Sequence, residues 1–183
     1  MSILGTFITH LEGNIMFNNL IDLIKIQSKN IEHYKQYPIA FLFFIMFLLE
    51  FLSTFFSEGY GSTSTSNFTI SLIIVFVFTF IEAIFFVYWF GRIGKNHSFL
   101  TFLHYDIMLS ISANIPVIIV LLITQNFNSS PWVAVIGFLA AFIYVIYMFS
   151  ANLAIATTSS KKYAFGAILI VALLQFTIQL LVL

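Results

Sequence analysis

Apolar residues gather along this chain in five long blocks, 39–56, 68–90, 99–124, 132–156 and 164–183, separated by short polar stretches. Each block exceeds the roughly 17 residues that an α-helix needs to cross a bilayer. At about 1.5 Å of rise per residue the longer blocks overshoot a hydrocarbon core of about 30 Å, so they are expected to tilt or to begin in the interface. The pattern predicts an all-α fold: a polytopic membrane bundle of five transmembrane helices, occupying residues 38–183.

Residues 1–37 are polar enough to stay outside the hydrocarbon. Within them Met16, Leu20, Leu23, Ile24, Ile31 and Tyr34 recur at helical spacing among Asp22, Lys25, Lys29 and Glu32, which predicts a cytoplasmic amphipathic helix ending before Tyr37 and Pro38. Such a face packs on its own bundle, or else lies on a membrane surface or a partner. The segment lacks the basic start, short apolar run and small-residue cleavage site of a secretory signal, so no processing is expected.

Composition narrows the class further. The chain is 61% hydrophobic and 8% charged, whereas about a quarter of the residues of a soluble domain are charged. Five spans leave no room for a soluble catalytic domain. The absence of cysteine excludes disulfides, thiolate metal sites, iron–sulfur clusters and thiol nucleophiles.

The net charge of zero hides an uneven placement. Lys25, Lys29 and Lys35 precede the first block, Arg92 and Lys95 separate the second from the third, and Lys161 and Lys162 separate the fourth from the fifth. The alternate loops, 57–67 and 125–131, contain no basic residue. The positive-inside rule then predicts a cytoplasmic N-terminus and an external C-terminus for an integral membrane protein. The heavy use of Phe, Ile and Asn suits an AT-rich bacterial genome, and the expected location is a bacterial cytoplasmic membrane.

Three carboxyls interrupt the apolar blocks: Glu50 in the outer half of the first, Glu82 in the inner half of the second and Asp106 near the inner end of the third. An ionised carboxylate at a helix centre costs about 2.5–3.5 kcal/mol, so each must find a partner, face a wet cavity or carry a proton. No Lys or Arg lies in any block. His104 is the cationic candidate at that depth, but on a helix it points roughly 200° away from Asp106. Asp106, Ser110 and Asn114 follow at i, i+4 and i+8 as a polar stripe, and Pro116 is expected to break the helix by freeing a carbonyl near Ser112. The short stretch 91–98 makes the second and third blocks antiparallel neighbours, which brings Glu82 to the depth of Asp106 or Ser110. A protonated Glu82 is then placed to donate across the pair.

This set has two readings. One is a proton or cation path through the bundle, to which Tyr144, Tyr147 and Asn152 of the fourth block add polar groups. The other is interhelical hydrogen bonding that fixes packing, worth about 0.6 kcal/mol per contact. Gln175 and Gln179 of the fifth block fall more naturally under the second. The chain contains no G-x-S-x-G, H-E-x-x-H, Walker or glycine-rich dinucleotide motif, and its four histidines lack ligand spacing. Neither an enzyme, a cofactor nor a metal site is expected.

Two stretches of wording carry a family resemblance. Residues 91–99 (GRIGKNHSF), with Thr101, Phe102 and then Ile115 and Pro116, match a glycine-bearing inner loop, a Ser/Thr-Phe and a proline in the third span. Residues 153–164 (LAIATTSSKKYA) match a short hydroxyl-and-lysine turn followed by the Ala opening the last span. With the order of cytoplasmic segment and five spans, the chain from about Asn18 to Leu183 resembles the Yip (Ypt-interacting protein) domain family, in its short bacterial form. The resemblance implies a polytopic membrane factor without enzymatic activity; eukaryotic members associate with Rab-type GTPases and vesicle traffic.

The leading expectation is therefore a non-enzymatic membrane protein acting through protein or lipid interactions, in membrane organisation, a trafficking-like role or an immunity or stress accessory role. Its expected partners are the lipid bilayer and a membrane protein or a second copy of the chain, with no nucleic acid. The alternative is a small proton- or ion-coupled transporter that uses the buried carboxylates.

Overall fold

Local chemistry sets where the helices begin. Ser98 and Ser160 each accept, through Oγ, the backbone N–H three residues on (Thr101 and Tyr163, both at 3.2 Å), as N-caps do. Pro131 is the first residue of its helix, where a missing N–H costs nothing. The resulting elements in the computed structural model, which describes residues 10–58, 65–126 and 131–182, are α1 (His10–Ile24), a 3₁₀ helix (Ile31–Gln36), α2 (Ile39–Glu58), α3 (Thr65–Gly91), α4 (Phe99–Asn126), α5 (Pro131–Ala156) and α6 (Lys161–Val182). No strand occurs among the described residues.

At one end of the bundle α1, α3 and α5 close in the same way. The N–H groups of Gln27, Lys95 and Ser159 reach back to the carbonyls of Asp22, Phe90 and Ala154 at 2.7, 3.1 and 2.9 Å. Those of Ile26, Gly94 and Thr158 reach Leu23, Gly91 and Ile155. This double bond pattern requires a left-handed residue after the helix, and Ile26, Gly94 and Thr158 adopt φ of 59°, 75° and 51°. Glycine does so freely, whereas the other two are β-branched and carry a strain of about 1–2 kcal/mol each.

The first of these turns corrects the expectation of one amphipathic helix running on to Tyr34. The chain breaks after Ile24 because its polar groups find distant partners there: Ser28 Oγ lies 2.8 Å from the Tyr105 hydroxyl, and the Lys29 N–H donates to the Tyr34 hydroxyl at 3.1 Å. The break lets Ile31 and Tyr34 turn inward to full burial. Nor does α1 divide into an apolar and a polar face, since Asn19 is buried with Met16, Leu20 and Leu23 while Phe17 is 60% exposed.

α4 is the central element. It packs against α1, the 3₁₀ helix, α2, α3 and α5, while α6 pairs with α5 and touches α3. From Thr101 to Ala113 nearly every side chain of α4 is buried, whichever way it points, as befits a helix surrounded by others. Pro116 does not break it: α4 continues unbroken to Asn126. Away from water the remaining amides have no other partner, so one lost rung does not unravel the ladder.

Four helices contain stretches long and apolar enough to cross a membrane: Leu72–Gly91, Phe99–Ile123, Val135–Ala156 and Lys161–Ile178. The described apolar stretch of α2, Ile39–Ser53, is shorter. Large apolar side chains face outward along these helices, among them Ile84, Ile136, Leu139, Phe142 and Phe176. Such a surface is that of a membrane-embedded helical bundle.

Candidate functional site

The short connection after Gly91 makes α3 and α4 antiparallel neighbours, and this sets the carboxyl of Glu82 against that of Asp106. Both are buried, at 6% and 1% exposure. Gln175 reaches across from α6 and donates its amide to Glu82 Oε1. Neither oxygen of Asp106 has a hydrogen-bond donor. Two ionised carboxylates are acceptors only and cannot bond to each other, whereas a proton on either supplies the missing O–H.

Glu82 also stands on the wall of a cavity of about 220 Å³. Its polar lining is Glu50 of α2, Thr79 and Glu82 of α3, Ser110 and Asn114 of α4, and Gln175 of α6. Met46, Phe78 and Phe149 are among the apolar side chains that complete it. A smaller cavity of about 110 Å³ shares Glu82, Ser110, Phe149 and Gln175, and is otherwise apolar. The arrangement can hold a proton between two carboxyls, and it offers oxygen acceptors to a cation beside them. Among the described residues no group of His, Asp and Glu is placed to hold a metal ion.

The structure thus brings together Glu50, Glu82, Asp106, Ser110 and Asn114, with Asp106 behind the wall rather than on it. It leaves out the other candidates. His104 turns away, its Nδ1 lying 2.7 Å from the Leu100 carbonyl. Asn152 is not part of the site: it donates Nδ2 to the Leu23 carbonyl at 2.7 Å, and Tyr144 donates to the Ile24 carbonyl. These two α5 side chains satisfy the end of α1, where helix carbonyls lack intrahelical partners. Tyr147 is exposed. Thr79 escaped the sequence reading because a lone threonine in an apolar block carries no signal. Gln175 stood among the packing residues, and the side chain of Gln179 lies outside the described residues.

A second polar cluster closes the end of the bundle that carries the basic residues. Lys29 Nζ donates to Asn19 Oδ1 at 2.7 Å, which fixes the amide orientation, so Asn19 Nδ2 faces His33 Nε2 at 3.2 Å and donates to Tyr37. His33 Nε2 must then accept, and the ring is neutral. Burial and the Lys29 charge both hold the His33 pKa below its ordinary value. Nearby, Glu32 accepts from Lys35 at 3.1 Å, from His97 at 3.2 Å and from Thr101 at 3.3 Å. Partial burial works against the Glu32 carboxylate, but the Lys35 and His97 hydrogen bonds, the Lys35 charge and Thr101 outweigh it and hold its pKa below the ordinary value.

Comparison with known proteins returns nothing: no protein family, curated protein or solved structure matches the chain. The resemblance to the Yip family therefore remains an expectation from the sequence, resting on its two stretches of wording and the order of its segments.

Proposed function

We propose that this chain is a five-span membrane protein that exchanges protons for cations at the Glu82–Asp106 pair. The observation that carries this reading is a buried carboxyl pair on the edge of a polar cavity whose lining includes no Lys or Arg. An unpaired buried carboxylate is costly enough that it holds a proton or recruits a positive charge. One proton between Glu82 and Asp106 meets that need, and a cation entering the cavity meets it instead. The two states differ by the release of the proton, which is the elementary step of coupled exchange.

The membrane frame supports this reading. α2 has 20 residues, and at about 1.5 Å each a helix of that length is about as long as a hydrocarbon core of about 30 Å is thick, which supports taking α2 as the first of the five spans. The basic residues then fall at one end, where Lys95 reaches Thr158 and Glu32 reaches His97. That end lies in the cytoplasm by the positive-inside rule, and α6 ends outside. A purely interaction-based role draws its support from the family resemblance and uses none of the cavity's chemistry.

Purified protein in vesicles with an entrapped pH dye tests the proposal. With sodium, potassium and tetramethylammonium present, an imposed cation gradient should move protons through the wild type and not through Glu82→Gln. Equal proton movement in both, with both folded, would remove Glu82 from the mechanism.

A further inference from the structure

Resting on that reading, we infer that the cation is a small organic ammonium ion rather than an alkali or alkaline-earth metal ion. Size is the first argument. The cavity of about 220 Å³ holds the volume of some seven waters at about 30 Å³ each, yet falls short of the roughly 300–1,000 Å³ of sites for drug-sized molecules. A bare metal ion would fill one corner and leave the remainder to water. An ammonium ion bearing a few short alkyl groups fills it.

The lining is the second argument. Calcium and magnesium take about six or more oxygens in a tight shell, and among the described residues no three acidic or imidazole groups converge to anchor such a shell. Instead the polar groups lie among Met46, Phe78 and Phe149. Aromatic faces and a soft thioether suit an alkylated cation, whose charge is diffuse and whose surface is apolar.

Charge is the third. Glu50 faces the cavity from α2 and Glu82 from α3; Asp106 lies behind Glu82 on α4, next to Tyr105; α6 contributes the neutral Gln175 and α5 the neutral Phe149. Among the described residues no cationic side chain lines the cavity beside the pair. Asp106 is wholly buried with both oxygens lacking a donor, so the positive charge has to come from outside the chain. One monocation enters as the one proton held between Glu82 and Asp106 leaves, and the net charge of the site is unchanged.

The test uses the full chain in detergent and weak buffer, with proton release followed by a pH dye and binding by calorimetry. Tetramethylammonium and tetraethylammonium should release about one proton per protein, and their affinity should fall roughly tenfold for each unit of acidification, as one-proton exchange requires. Sodium and potassium should release none. Phe149→Leu should weaken ammonium binding several-fold without abolishing proton release at saturation, and Glu82→Gln should abolish the release. If Glu82→Gln does not fold, the pH dependence of the wild type decides alone. Proton release by sodium or potassium but not by the ammonium ions would overturn this inference and leave proton–cation exchange standing. Release by none of the cations would overturn both, and ammonium binding independent of pH would overturn the exchange of one for the other.

Discussion

Gln175 on α6 donates to Glu82 on α3, so a hydrogen bond between two helices that also meet through Trp89 and Tyr163 closes one side of the central cavity. Glu82→Leu strands the Gln175 amide and should cost about 1–3 kcal/mol, read as a lower Tm in detergent. Glu82→Gln keeps an acceptor for Gln175 and a donor for Asp106, and should unfold close to the wild type. Equal melting of the two variants would show that the bond is not made.

Strain at the helix ends gives a separate prediction. Thr158 sits at φ 51° in an exposed turn. Thr158→Gly should relieve about 1–2 kcal/mol of left-handed strain against about 0.4–1 kcal/mol of added freedom in the unfolded chain. The balance runs from about 0 to about 1.6 kcal/mol before the exposed Lys95 hydrogen bond is subtracted, so Tm should stay level or rise slightly. A clear fall in Tm would mean that the turn does not impose this conformation.

Docking of the N-terminal segment should depend on pH. The docked His33 has a lowered pKa, so the undocked form binds more protons as pH falls. Docking is then strongest above the ordinary histidine value of 6.5 and weakens as pH drops through the docked value. Glu32, also lowered, acts in the same direction further into the acid: its contribution is present above the ordinary value of 4.5 and is lost below it. Hydrogen exchange of residues 15–37, corrected for intrinsic rates, should show less protection at mildly acidic than at mildly alkaline pH. Equal protection would contradict a neutral His33 that accepts from Asn19.

What the sequence revealed, and what it hid, follows from the distance over which each feature is decided. All five apolar blocks became helices, because length and apolarity are local properties, and four are of spanning length among the described residues. The meeting of Glu82 and Asp106 was also legible, since a short connection leaves adjacent helices little freedom. The break before Ile31 was not, because it depends on Tyr105, 77 positions beyond Ser28. Depth alone placed Asn152 and Tyr144 beside the carboxyls, but it says nothing about direction, and both turn to the end of α1. The partnership of Gln175 with Glu82 needed the register of α6 against α3, which packing sets. Pro116 misled because a rule learned in water overstates the cost of a missing N–H where the other amides have no competing partner.

Orientation has its own test. Single cysteines at Ser64 and Ser129 should react with an impermeant thiol reagent added to intact cells, and one at Asn96 should not. Labelling at Asn96 alone would invert the orientation, and with it the direction of exchange.

Infrared spectroscopy reaches the shared proton most directly. At neutral pH the wild type should show the carbonyl stretch of a protonated carboxyl that is missing from the doubly substituted Glu82→Gln, Asp106→Asn protein, and tetramethylammonium should remove that band reversibly. A wild-type spectrum with no such band in excess of the double variant would contradict a proton held between Glu82 and Asp106.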